Sequence, residues 1–321
     1  MNCPKCGEEA AKFGKTRDGQ QRYRCLECRQ TFSEPKPLAG LATDLKLAAF
    51  ALNLLLEGTS IRATARLTGL DKDTIQRIME QAGRQCFQFL ADTMQNVQAA
   101  DIQCDEVWSF VGKKEKTAFF DGSGEGCGDA YVFTAIERYT KLLFCFHVGR
   151  RTAEDAMLFA DKLALCVSDS TRPHVSTDGF NPYHIAIPQA FGFNVDHGML
   201  IKQFGTPSQS EQRRYSPASI IGAKEYQNAG TSKPGQICTS HIERSNLTVR
   251  MQNRRFTRLT NAFSKKWENH ELMFALFVAF YNFCRVHMTL KTTPAVAAGL
   301  AQEAWSIERL LQASAKSTLA A

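Results

Sequence analysis

The sequence predicts a mixed α/β core, a five-stranded sheet with flanking helices, preceded by a small cysteine-clipped ribbon and a helix-turn-helix. Three observations lead there. Cys3-Pro4-Lys5-Cys6 and Cys25-Leu26-Glu27-Cys28 stand 18 residues apart, and two short helical runs meet at Gly69. From residue 102 to 178, strand-like and helical runs follow in the order strand, strand, strand, helix, strand. With 321 residues and 44% apolar content, the chain can bury a sizeable core and holds two or three domains.

The paired cysteines fall inside the spacing window of four-thiolate zinc sites. Cys3, Cys6, Cys25 and Cys28 would close a tetrahedral, structural Zn2+ site. A ribbon over residues 1–34 is too short to bury its own core, so metal binding supplies its folding free energy. Redox dithiols are the alternative, but no thioredoxin-like βαβ pattern surrounds either pair. Lys12, Lys15, Arg17, Arg22, Arg24 and Arg29 interleave with Phe13 and Tyr23, a mix that favours a nucleic-acid face.

A hinge, Ser33-Glu34-Pro35-Lys36-Pro37, leads into residues 38–90. Leu41–Leu56 is an amphipathic helical run ended by Gly58. Thr59 to Met79 then reads as two helices joined at Gly69, with Asp71 capping the second. This is helix-turn-helix spacing, and the second helix would present Lys72, Thr74, Gln76 and Arg77 to a major groove. Such pairs also occur as plain packing elements.

The core spans residues 98–300. Ile102–Val111, Tyr131–Glu137 and Leu142–Val148 form an antiparallel meander, and a helix over Ala153–Val167 returns the chain so that His174–Asp178 pairs beside the first strand. A helix near Tyr183–Ala190 and a fifth strand near Gly198–Phe204 follow. Gly205–Ser240, rich in Gly, Pro and Ser, reads as a mobile loop engaging DNA or a partner protomer. His241–Arg254 contains neither Gly nor Pro and reads as a helix with Ser240 as N-cap. Residues 301–321 close the chain as a helix and tail.

Three acids stand out within this frame. Asp105 interrupts an apolar strand, Asp178 ends another just before Gly179, and Glu243 opens the His241 helix with Arg250 two turns on. A carboxylate at a buried strand end is costly unless a cation or donor meets it. Two such carboxylates and a third from a helix can hold two divalent ions about 3.5–4 Å apart, and all-oxygen sites suit Mg2+ or Mn2+. Each acid taken singly can also be a capped or salt-bridged surface carboxylate. Glu106 is not counted among the ligands, because strand alternation turns it to the face opposite Asp105.

The runs Asp105 to Lys114, Asp178-Gly179-Phe180, Glu243 to Arg250 and Arg255 to Lys266, followed by Tyr281 to His287 with Thr293-Pro294, closely resemble DDE transposases of bacterial insertion sequences, in the group typified by insertion sequence one. The resemblance covers the chain from Cys3 to about Leu310, and so many runs in order are highly specific. It implies an RNase H-like catalytic core with Asp105, Asp178 and Glu243 as catalytic triad and Mg2+ or Mn2+ ligands. It also implies that Arg250 contacts DNA near the cut, and Arg254 and Arg255 belong to the same basic segment. The implied activity is binding of the element's terminal inverted repeats, cleavage by water and strand transfer by the freed 3′-hydroxyl. Two ends must be held together, so a homodimer or larger assembly on double-stranded DNA is implied. A non-catalytic DNA-binding regulator and an RNase H-like nuclease are the alternatives.

Charge agrees with this reading. The formal balance is +7, and His241–Lys266 holds seven Lys or Arg against one acid, beside the acid that a phosphate backbone would have to approach. The other seven cysteines are scattered singly, as expected of buried thiols in a reducing bacterial cytoplasm, near the nucleoid. No signal peptide precedes Cys3, and the longest apolar run, Leu272–Cys284, has 13 residues, too few to span a bilayer. His197 is expected to pack or cap rather than ligate, His241 to orient a carboxylate or meet a phosphate, and Trp108 to lie in the core.

Overall fold

The computed structural model describes residues 2–17, 21–33, 36–120, 126–205, 220–233 and 235–317. The hinge residues Glu34 and Pro35 and the tail beyond Ser317 lie outside them.

Strands β1 (Ala10–Lys15), β2 (Gln21–Cys25) and β3 (Thr31–Ser33) form an antiparallel sheet that carries little buried apolar surface of its own. Among the described residues of this ribbon, only Cys3, Ala10 and Cys25 are buried apolar residues. That is the shortage the sequence implied.

The next three helices start where short polar side chains can cap them. In α1 (Leu45–Leu56), Asp44 accepts from the Lys46 and Leu47 amides; in α2 (Ile61–Thr68), Ser60 accepts from Ala63. Gly69 ends α2 in the left-handed region at φ 73°, which any residue with a Cβ adopts at a cost. Asp71 caps α3 (Lys72–Thr93), which runs to 22 residues. Its length follows from packing: Ile75, Ile78, Met79, Ala82 and Cys86 form a continuous buried stripe. Gly83 in that stripe lets the backbone approach a later helix closely, since a Cβ there would sit 2.6 Å from the Leu272 carbonyl oxygen.

The large sheet follows: β4 (Asp101–Val111), the short α4 (Glu115–Phe120), β5 (Gly128–Glu137), β6 (Leu143–Gly149), α5 (Ala153–Cys166), β7 (His174–Asp178), α6 (Tyr183–Ala190), β8 (Asp196–Phe204) and β9 (Ile220–Ala229). Strand order is β6-β5-β4-β7-β8-β9. The first three form the expected antiparallel meander, and β4, β7 and β8 run parallel. Among the described residues the sheet has six strands rather than five. Ile220–Ala229, read as loop because of its flanking Gly and Ser content, pairs antiparallel with β8 as an edge strand. Its alternation is weak because both faces are largely exposed. Residues 206–219 of the expected loop lie outside the described residues.

Helix α7 (Ser240–Gln252) crosses the sheet beside β4, a 3₁₀ turn covers Arg254–Phe256, and α8 (Trp267–Phe283), α9 (Pro294–Ala297) and α10 (Ile307–Ser317) close the chain. Arg254 therefore lies beyond α7, not in it. The helix begins at Ser240 with Thr239 at the cap position, and the His241 and Ile242 amides are met by Gln103 Oε1 of β4, at 2.9 and 3.2 Å. Helix α8 is buried on all sides, from Leu272 through Phe283. One hydrophobic cluster runs from α1 through the sheet to α10, so the helix-turn-helix packs on the same core as the large sheet. No helix among the described residues is long and apolar enough to cross a membrane.

Candidate metal centres and nucleic-acid interface

The N-terminal cysteines converge. Cys3 and Cys28 sulfurs lie 3.6 Å apart, Cys6 and Cys25 sulfurs 3.4 Å, and all four lie within 4.8 Å of one another. Four thiolates each about 2.3 Å from one zinc would stand about 3.8 Å apart, so the set fits that ion. Backbone turns hold it: Gly7 donates to the Cys3 carbonyl and Lys5 donates to the Cys3 sulfur. The remaining cysteines are free thiols, and Cys86, Cys104 and Cys145 are buried.

The second centre forms where β4 and β7 part. Their pairing covers only Asp101–Gln103 against His174–Ser176, so the two strands separate just before the acids. Oxygen atoms of Asp105, Glu106 and Asp178 lie within 4.8 Å of one another. Alternation does send Asp105 and Glu106 to different neighbours: Asp105 Oδ2 accepts from Asn246 Nδ2 on α7 at 2.8 Å, and Glu106 accepts from Tyr183 on α6 and from Arg151 at 3.1 Å. Glu106, set aside on strand alternation, nonetheless stands in one cluster with Asp105 and Asp178. Beyond the last paired residues there is no strand between these side chains and Asp178, and both reach the same gap.

Glu243 stands apart from that cluster. Lys202 of β8 and the Thr239 hydroxyl both hold its Oε1. It remains near enough that its charge acts on Asp105. The α7 residue that touches an acid of the cluster is Asn246, one turn further on, which sequence reading passed over; its spacing of three from Glu243 was the available signal.

Burial and mutual repulsion load this centre. Burial raises Asp105 to about 7, helped by the charges of Asp178 and Glu106. Glu106 rises to about 6 by burial and the Asp178 charge, against the pull of Tyr183 and Arg151. Crowded carboxylates of this kind accept a divalent cation readily, since it removes the repulsion that lifts them. Arg151 supplies part of that neutralisation: its guanidinium lies 3.7 Å from Asp178, pairs with Glu106 and covers the Phe180 ring at 4.3 Å. Phe180 in turn donates its amide to Asp178 Oδ1, fixing that carboxylate at the turn after β7.

The expected DNA contacts divide into two groups. Lys72 and Arg77 are exposed at the start of α3, although Lys72 pairs with Asp73, and Thr74 is half-buried beside them. Gln76 turns inward to Glu80. Arg250 is half-buried, pushed down by burial and by Arg258 but drawn up by the Asp105 charge, and its Nε has no partner among the described residues. Arg254 is exposed, whereas Arg255 is largely buried, lowered to about 10 by burial, and donates to Ser264 at 3.0 Å. Gln76, Arg254 and Arg255 line one cavity rather than one flat face.

His197 is buried, hydrogen-bonded to Thr177 and Asn228 and lowered to about 3 by burial, and Asp196 pairs with Arg172. His241 lies 3.2 Å from Lys141. Trp108 is half-buried, with Lys114 over its ring. No family model matches the chain.

Proposed function

We propose that this protein is a transposase with an RNase H-like core, which binds the terminal repeats of its own insertion sequence and cuts and joins DNA at the Asp105–Asp178 centre. The observation that carries the reading is the convergence of Asp105, Glu106 and Asp178 in the gap where two parallel strands part. Carboxyl ends of parallel strands are where such sheets place chemistry. The strand order and the basic segment from Arg250 to Lys266 support it.

Divalent cations bound here would activate the attacking oxygen and stabilise the leaving oxygen of an in-line phosphoryl displacement. The chain's own residues prepare that geometry. Asn246 orients Asp105, Tyr183 orients Glu106 and the Phe180 amide orients Asp178, so the three carboxylates are presented in fixed directions. Arg151 neutralises two of them and, being partly exposed, is free to turn to a phosphate once cations take over that role. Glu243 is the reserve carboxylate, held by Lys202 outside the cluster, and Arg250, whose charge acts on Asp105, would meet the approaching backbone. Two ends must be synapsed, so the active form is a dimer or larger.

The test is Mg2+-dependent nicking and strand transfer on a labelled duplex carrying the gene's own flanking repeats, with Asp178→Asn and Glu243→Gln in parallel. Activity in the parent and none in either variant, with end binding retained, is the expected result. Binding without cleavage in the parent would make the protein a regulator. Cleavage of any hybrid without strand transfer would make it a nuclease.

A further inference from the structure

A cavity of about 650 Å³ lies between the helix-turn-helix and the basic segment, away from the acidic cluster. Its rim carries the exposed Arg62, Arg254, Lys265 and Lys266, the largely buried Arg255 lies in its wall, and no acid lines it. Glu80, outside the lining, is occupied by Gln76 and exerts its charge on Arg255. Deeper in, Leu55, Ile61, Phe263 and Met273 give an apolar floor, and the buried Asn253 and Asn269 supply amide groups among it, while Asn261 lines the cavity from its exposed side. The start of α2 opens into this space, where Ser60 caps only Ala63. The amides of Ile61 and Arg62 are left without helical acceptors, a setting that favours an anion.

The cavity wall is built rather than incidental. Buried His270 bridges Ser109 of β4 and Ser264, at 2.8 and 2.9 Å, and stacks on Phe256; Ser264 receives Arg255 and its carbonyl accepts from Gly112. Gly58 abuts the Met251 carbonyl so closely that a Cβ would sit 2.5 Å from it, fixing the α1–α2 turn against the end of α7. Phe263 packs against Phe110 on one side and carries Lys265 Nζ 3.7 Å from its ring centre.

A cationic rim, an apolar floor with an aromatic ring and amide groups on the walls match one nucleotide: phosphate outside, base inside. The volume lies in the range of small-molecule sites and is several times too narrow for a duplex, whose backbone lies across surfaces and does not enter a concavity. We propose that this cavity binds a single unpaired nucleotide, taken from the end of the DNA held by the helix-turn-helix. A base entering it replaces Lys265 over Phe263, and Lys265 turns to the phosphate. The proposal rests on the DNA-handling reading above and adds that an unpaired end is gripped between the reading module and α7.

The test uses the full zinc-loaded chain and a short duplex ending in a single 3′ 2-aminopurine overhang, against the same duplex blunt, with dAMP as a separate probe. The parent should prefer the overhang by about tenfold and quench its fluorescence, the scale of one base stacked on an aromatic ring. Ala262→Trp, which fills the cavity, and the exposed Lys266→Glu should each erase that preference; the second variant decides if the first fails to fold. Equal binding of blunt and overhang probes, with no dAMP binding, overturns the pocket and leaves the DNA reading standing. If dAMP binds and is lost in Ala262→Trp while the duplexes bind alike, the pocket stands and its source is a free nucleotide. If neither duplex binds, the DNA reading falls, and dAMP alone decides the pocket.

Discussion

Lys202 of β8 is ion-paired with Glu243 at the first turn of α7, so the acid expected to complete the metal site is held by a cation from the neighbouring strand. Releasing it should let it serve the cluster. Lys202→Met is therefore expected to tighten Mn2+ binding, followed by electron paramagnetic resonance, by about two- to tenfold. Glu106→Gln should weaken the same binding by roughly tenfold or more, and Glu243→Gln by less. A larger loss with Glu243→Gln would show that Glu243 leaves Lys202 for the first ion.

The carboxylate cluster makes the metal-free protein pH-sensitive. Asp105 and Glu106 have folded values of about 7 and about 6, above their ordinary 3.8 and 4.5, so the folded state holds protons that the unfolded state has lost. Stability then falls as pH rises between about 4 and about 7, on the order of a few kcal/mol in total. Thermal melting with chelator present should drop over that window, and Mn2+ should restore more at pH 8 than at pH 5. A flat profile would mean that the two acids are not crowded in solution.

Cys3, Cys6, Cys25 and Cys28 are placed to hold a metal ion that would tie the ribbon together. Cys25→Ser should release the metal and remove the β1–β3 sheet while leaving the large core folded, because the ribbon buries almost nothing else. Metal analysis and the amide resonances of residues 2–33 report this. Unchanged zinc content would sink the assignment.

At Gly83, α3 meets α8 closely. Gly83→Ala puts a methyl 2.6 Å from the Leu272 carbonyl oxygen, and backbone cannot yield as a side chain can. A loss of about 1–3 kcal/mol is expected, seen as a melting point lower by several degrees. An unchanged melting point would mean that the helices separate at little cost.

What was legible in the sequence was local. The Cys-x-x-Cys spacing, Asp71 and Gly69 at helix ends, and the apolar runs of β4 to β8 each declare themselves within a few residues, because capping, pleating and thiol geometry act over that range. Tertiary structure decided the rest. Gln103 caps α7 from 138 residues away, β9 exists because β8 offers it an edge, and α3 extends because α8 gives its apolar stripe a partner. The same holds at the acids: Asp105 and Glu106 are neighbours that alternation separates, and only the parting of β4 from β7 lets both face Asp178. A one-dimensional pattern carries which faces are apolar. It does not carry where two paired strands stop being paired.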